Sequence, residues 1–455
     1  MADISLSSPD AEHPDAPHPD TAQHPKGQLR RLRFPSGFLA AARAAVRFDL
    51  RWAVLSIVAG LLAGTASAFL IWSLDVATRT REAHVWLIAL LPVAGLAVGL
   101  IYHYFGRSVE RGNNLILEEV HTEAADPRST IPARMTPLIL LGTFVTHLCG
   151  GSAGREGTAL QTGASLADQI ARVLRPFPAL ALSGADRRIL LTAGISAGFG
   201  SVFGTPLAGA VFGLEVLTIG TVSYEALFPC FVAAFSADLT TRAWGIHHDL
   251  FRVSAEGLAT PANARNLFWA AAAGVAFGTT AMLFARSAHA LSRVFRRLIP
   301  FPPLRPFVGG IFVALSVWAV GTTRYIGLGI GTTLAAFSGP VRPYDFVGKF
   351  GFTVLTLASG FKGGEVTPLF FIGATLGNAL SAIVPLQSSL LAAMGFVAVF
   401  AGAANTPVAS ILLALELFGP EAGVFAAIAC ITSYLTSGSS GIYEAQRPGR
   451  KIAGR

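Results

Sequence analysis

Most of the apolar runs in this chain are too short to cross a bilayer, and many are interrupted by glycine. Residues 52–76 and 85–105 are long enough for two spans, since a span takes about 20 residues. The runs at 135–149, 158–173 and 189–200 are short and broken, and 204–219 and 224–239 follow. The second half offers 267–291, 307–320, 346–359, 366–383, 390–401, 407–418 and 423–435, several of them again below spanning length. Inside a bilayer every backbone polar group needs an internal partner, so a helix that stops halfway is tolerated only where it lines a site within the protein. Broken helices meeting at the midplane are a common way for transporters to build an ion site. Composition agrees: 52% of the 455 residues are hydrophobic and 13% charged, against about 25% charged in a soluble domain. The expected class is an all-α polytopic membrane protein.

The net charge of +8 does not point to nucleic acid. Lys26, Lys349, Lys362 and Lys451 are the only lysines, and the arginines fall mostly between apolar runs, as in cytoplasmic loops. Arg30, Arg31, Arg33, Arg43, Arg47 and Arg51 precede the first run and predict a cytoplasmic N-terminus. Residues 1–46 read as a polar, disordered tail, 47–447 as one transmembrane domain with halves at about 47–240 and 262–447, and 448–455 as a short basic tail. No soluble regulatory domain is expected. The stretch 291–305, with Arg293, Arg296, Arg297 and Arg305 among prolines, reads as the cytoplasmic loop joining the halves. Cys149, Cys230 and Cys430 are isolated small hydrophobes, and no spacing of His, Cys or acids predicts a metal site or another cofactor.

One acid stands out. Glu156 lies within Gly150-Gly151-Ser152-Ala153-Gly154-Arg155-Glu156-Gly157-Thr158, between two apolar stretches. The glycines allow close backbone approach, and the helical pattern after Thr158 puts Glu156 at or just before a helix N-terminus. Such an end presents free N–H groups and a positive dipole, which suit an anion. A carboxylate there can occupy an anion site itself and leave it on protonation. The halves also echo each other. Thr205-Pro206 opens a run ending in Leu214-Glu215, and Thr406-Pro407 opens one ending in Leu415-Glu416. Gly163-Ala164-Ser165-Leu166 is matched by Gly373-Ala374-Thr375-Leu376. Matched interrupted segments indicate an internal repeat with its site at the interface; these spacings do not set the sense of the repeat.

Gly154-Arg155-Glu156-Gly157 resembles the gating-glutamate signature of the CLC chloride channels and transporters. Gly112-Asn113-Asn114-Leu115-Ile116 and Gly363-Gly364-Glu365-Val366-Thr367-Pro368 sit where that family has its other two anion-binding loops, and Tyr443 falls near its pore tyrosine. The resemblance runs in order from about Arg47 to Arg447. It implies a homodimer of CLC-type subunits, each with two inverted-topology repeats. Asn113, Glu365 and Thr367 depart from the common pattern in the manner of the fluoride/proton antiporter branch. Val216 occupies the position of the inner proton-handling glutamate of chloride/proton exchangers.

The resemblance assigns gating and proton coupling to Glu156 and anion binding to Asn113, Thr367, Tyr443, Val366 and Gly157. Glu365 becomes a possible proton or gate partner, and Gly112, Gly154, Gly363 and Gly364 the motif glycines. The implied function is fluoride export by fluoride/proton antiport across a bacterial-type plasma membrane, with fluoride, protons and the lipid bilayer as partners and no nucleic acid. The alternatives are a chloride/proton antiporter and a passive anion channel. An intramembrane enzyme needs a paired nucleophile and base or a metal set, and the sequence offers neither. Simpler roles stand beside these assignments: an Arg155–Glu156 ion pair, a helix cap for Asn113, a local backbone bond for Thr367, a membrane-edge aromatic for Tyr443, and helix-end anchors for Glu215 and Glu416.

Overall fold

A computed structural model describes residues 38–121 and 131–449, with side chains from Asp49 onward. The expectations for residues 1–37, and for the end of the chain after 449, lie outside the described residues. The first half contains α1 (Phe38–Ala83), α2 (Leu91–Phe105), α3 (Asn113–His121), α4 (Met135–Leu148), α5 (Glu156–Leu174), α6 (Gly184–Phe203), α7 (Pro206–Glu215) and α8 (Leu227–Ala243). The short α9 (Ala255–Leu258) leads to the second half: α10 (Ala264–Leu298), α11 (Leu304–Val320), α12 (Ile330–Ser338), α13 (Asp345–Ala358), α14 (Val366–Leu380), α15 (Ser388–Ala404), α16 (Pro407–Phe418) and α17 (Pro420–Ser437). Two two-residue strands, Thr218–Ile219 and Arg447–Pro448, pair in parallel.

Among the described residues, three segments are long and apolar enough to cross a membrane: Asp49–Ala83, Val85–Phe105 and Ala264–Leu298. Apolar helices such as α4, α7, α14, α15 and α16 are shorter. The loop expected at 291–305 is mostly helix, because α10 continues to Leu298 and carries Arg293, Arg296 and Arg297 on its last turns. Arginine is a good helix former, and a cation suits a helix C-terminus.

The sense of the repeat is legible in two contacts. Glu215, at the end of α7, accepts hydrogen bonds from Val408 N (3.0 Å) and Ala409 N (2.8 Å) at the start of α16. Glu416, near the end of α16, accepts from Leu207 N (2.9 Å) and Ala208 N (2.8 Å) at the start of α7. Each helix begins with a proline at its first position and lacks a side-chain cap of its own, so its free N–H groups are satisfied by the acid of the other. Reciprocal capping of this kind requires the two helices to run antiparallel, as the halves of an inverted repeat do.

The echoed glycines have a packing reason. A Cβ on Gly194 of α6 would lie 2.6 Å from the carbonyl oxygen of Gly163 in α5. In the second half, Gly395 of α15 meets Gly373 of α14 more closely still. Small residues at such crossings bring backbones together where lipid gives no hydrophobic drive between helices. α15 is buried from Ser389 to Ala404, and it forms the core against α14 and α17. Phe370 stacks on Phe396 at 4.0 Å between ring centroids.

Candidate functional site: two helix ends and a buried carboxylate

The N-termini of α5 and α14 meet at the middle of the fold. Gly154 and Gly364 form an isolated antiparallel bridge, with Gly154 N donating to Gly364 O at 2.6 Å and Gly364 N to Gly154 O at 2.8 Å. Both positions need glycine for room. A Cβ on Gly364 would lie 2.6 Å from Gly157 N, and one on Gly154 would lie 2.6 Å from Glu156 Oε2. Gly363 packs on Ala153 with equal closeness, and Gly112 leads into α3 beside Gln161.

Glu156 is the first residue of α5 and is fully buried. Its Oε2 accepts hydrogen bonds from Thr367 N (3.0 Å) and Arg155 N (3.1 Å), and its Oε1 is hydrogen-bonded to the Thr367 hydroxyl. The carboxylate therefore sits on donors at two helix N-termini, one from each repeat, where a bound anion would be stabilised. Arg155 Nε is 3.9 Å from Glu156 Oε1, and Arg155 Nη2 is 3.8 Å from Asp249 Oδ2. Neither distance is a hydrogen bond, so a simple Arg155–Glu156 pair does not account for the seat. Thr367 spends its hydroxyl on Glu156 rather than on its local backbone. Val366, the first residue of α14, is fully buried beside it.

The remaining candidates gather on one side of this seat. Asn113 opens α3, and its amide nitrogen lies 3.1 Å from where a Cβ on Gly157 would be. Asn113 Oδ1, Glu365 Oε2 and Tyr443 Oη are buried without a hydrogen-bond partner in the protein. Such groups are rare in native structures, and here all three residues line one cavity of about 140 Å³. Tyr443 is 5% exposed, so it is a core residue and not a membrane-edge aromatic. The cavity adjoins a larger vestibule of about 560 Å³ rich in basic side chains, among them Arg107, Arg111, Arg296 and Arg305. On the opposite side of Glu156, a pocket of about 30 Å³ is bounded by Arg155, His248, Asp249 and Phe370. Arg155 and Asp249 also border a second vestibule of about 600 Å³. Glu156 thus stands between two open regions of the molecule.

Val216 faces an apolar recess of about 10 Å³ with Leu160, Phe212 and Tyr443. That space is at the lower limit for one water and offers little to a water chain. Glu215 next to it is committed to capping α16. Sequence reasoning passed over the residues that brace the Glu156 loop. His147 is fully buried, its ring nitrogens bonded to Thr143 O (2.8 Å) and Ala153 O (3.1 Å). Lys349, also fully buried, donates to Gly327 O (2.6 Å) and Tyr325 O (3.2 Å). Gly327 N in turn donates to Gly151 O (2.9 Å), and Ser152 Oγ to Tyr325 O (2.7 Å). The available signal was chemical type: an ionisable side chain inside an apolar run is costly and is kept for a purpose.

Two inverted repeats that present paired helix ends to a buried carboxylate define an ion-transport protein of the membrane. The family model described as "Voltage gated chloride channel" matches residues 94–438, and the chain belongs to this CLC family. It is 54% identical over 405 residues to the "Chloride/fluoride channel protein" of Pseudomonas syringae pv. tomato (strain ATCC BAA-871 / DC3000), covering 88% of this chain and 87% of that relative. Its fold is similar to the crystal structure of a CLC-type fluoride/proton antiporter, with a TM-score of 0.82 and 34% identity over 88% of this chain and 98% of the other. A slow cyanobacterial Cl⁻/H⁺ antiporter shares the fold at a TM-score of 0.73 and 21% identity, over 86% of this chain and 96% of that one.

Proposed function

We propose that this chain is a fluoride/proton antiporter that exports fluoride, with Glu156 as the element shared by the two ions. The observation that carries the reading is the seat of Glu156: its carboxylate takes up the helix-end donors between the two vestibules. An ionised carboxylate there fills the anion's place and repels a second anion. Protonation removes the charge and frees the donors. Anion and proton then alternate at one point, which is what exchange requires of a single pathway.

Fluoride is small and strongly hydrated, so a site for it must replace water with hydrogen-bond donors. Asn113 offers two amide hydrogens, and Tyr443 and Thr367 a hydroxyl each. The Tyr443 hydroxyl is a donor that no protein group takes up. Glu365, in the same cavity, serves as an inward resting place for the proton or as a partner when Glu156 moves. The apolar recess at Val216 favours a shared anion and proton route over a separate one. The basic vestibule at Arg296 and Arg305 is assigned to the cytoplasmic side, where positive loops accumulate. The working unit is a homodimer in a bacterial plasma membrane, with the N-terminus in the cytoplasm.

The test uses purified protein in liposomes, with fluoride and chloride followed by electrodes and luminal pH by a dye. Wild type should release fluoride with opposing proton entry and little chloride. Glu156→Gln should still pass fluoride but without matching protons, and retained coupling in that variant would sink the assignment of Glu156. Comparable chloride flux would make the protein a general anion/proton exchanger, and fluoride flux without protons would make it a channel.

A further inference from the structure

The cavity beside Glu365 holds a cation with no carboxylate of its own. Among the described residues, Lys362 makes no salt bridge or hydrogen bond. Its Nζ lies over the Tyr102 ring, 4.1 Å from the centroid, and Glu110 acts on it only through space. Of the other cations lining the vestibule, Arg111 pairs with Glu118 and Arg305 donates to the carbonyls of Ile299 and Pro300. The Lys362 stem is held from the side as well, because a Cβ on Gly142 of α4 would come within 2.8 Å of its Cγ and 2.9 Å of its Cβ. A long flexible side chain is thus clamped between α4 and the Tyr102 ring of α2, with its ammonium fixed in place. Lys362 lines both the vestibule of about 560 Å³ and the cavity of about 140 Å³.

An ammonium carries three donors and a full charge, and a half-buried charge is screened less than one in bulk water. The same cavity presents the side-chain amides of Asn113, Asn114 and Gln161. Its volume exceeds the ~30 Å³ share of one water several times, room for a small anion with part of its hydration shell. Glu365 Oε2 borders the same space without a hydrogen-bond partner, and an ionised Glu365 would repel an entering anion. Lys362 lines the same cavity and brings a positive charge of its own to it.

We propose that Lys362 is the recruiting ligand of a small monovalent anion in this cavity, held there before it reaches the seat of Glu156. This rests on the exchange reading for the direction of travel, but the binding role of Lys362 stands by itself. No covalent step is involved. The ammonium remains charged, and the anion passes from Lys362 and the amides of Asn114 and Gln161 toward Asn113 and Tyr443.

The fluoride concentration giving half-maximal efflux is measured in liposomes for wild type, Lys362→Met and Lys362→Arg, alongside the proton-to-fluoride ratio and the thermal unfolding midpoint in detergent. Lys362→Met keeps the packing stem and removes the charge. It should raise half-saturation about tenfold, the size of one lost charge-assisted hydrogen bond, with the ratio unchanged. Lys362→Arg should stay within about threefold of wild type, since the charge and donors are kept. Unchanged half-saturation in Lys362→Met overturns the proposal, as does an equal rise in Lys362→Arg, which would reveal a packing role. A changed proton-to-fluoride ratio at unchanged half-saturation overturns it too, and would place Lys362 on the proton at Glu365. If Lys362→Met does not fold, Lys362→Gln carries the same expectation. Should wild type move chloride and not fluoride, the fluoride reading fails, and the same comparison made with chloride still decides the role of Lys362.

Discussion

At the scale of single residues, coupling depends on how firmly the Glu156 carboxylate is seated. The hydroxyl of Thr367 is one of three donors holding it, and the other two are backbone N–H groups that no side-chain substitution removes. A hydrogen bond to a charged group contributes about 1.5–3 kcal/mol, so Thr367→Val should weaken the seat by roughly tenfold to a hundredfold. Fluoride should then leak past with fewer protons than in wild type, while Thr367→Ser should hold the wild-type ratio; simultaneous fluoride and pH traces report it. Gly154→Ala attacks the same seat sterically, since its Cβ would stand 2.6 Å from Glu156 Oε2. It should lose coupling while leaving Thr367 untouched, and a normal ratio in this variant would show that the carboxylate does not need this position during exchange. The Gly-rich loop and its acid were legible in the sequence because both are local. The Thr367 contact was not, because its partner is 211 residues away and the link between them is made by folding of the two halves.

At the scale of elements, the motifs shared by the halves turn out to be contact rules. The Thr-Pro starts and Leu-Glu ends of α7 and α16 encode a reciprocal cap, each carboxylate taking two N–H groups of the other helix. The paired glycines of the Gly163 and Gly373 segments encode close helix crossings. Sequence spacing carries no sign, so it exposed the repeat but not its inversion, which the family resemblance alone implied and which the antiparallel capping displays. Helix ends were the least legible feature. α6 begins at Gly184, several residues before the apolar run at 189–200, because Ser183 and Asp186 form a capping box that a hydropathy reading ignores. Loss of a cap costs about 0.5–2 kcal/mol, and of a charge-assisted bond somewhat more. Glu215→Gln and Glu416→Gln should each lower the thermal midpoint in detergent by a few degrees. The double variant should fall by close to the sum, because the two caps lie at opposite ends of the helix pair and share no partner. A double variant no worse than either single one would mean that the two ends melt as one unit.

At the scale of the whole molecule, exchange and passive flow differ in how charge crosses the membrane. A fluoride ion leaving and a proton entering both move positive charge inward, so one-for-one exchange carries two charges per cycle. Each charge is worth about 2.3 kcal/mol per 100 mV, and an inside-negative potential of about 100 mV would therefore drive the cycle by about 4–5 kcal/mol in the direction of export. Glu156 is fully buried, and the pocket it lines shares no residue with the cavity of Asn113, Glu365 and Tyr443, an arrangement that suits such coupling. The measurement follows from the arithmetic. With potassium equal on both sides and valinomycin present, the potential is held at zero and only the two ion gradients remain. An external medium one pH unit more acidic should then drive fluoride out until it is about tenfold more concentrated outside, because one pH unit is equivalent to a tenfold concentration ratio. A channel under the same clamp moves fluoride only to equal concentrations, whatever the pH. Uphill efflux that vanishes in Glu156→Gln would tie the coupling of the whole molecule to that carboxylate, while uphill efflux that survives in the variant would require a second proton carrier, with Glu365 the next residue to substitute.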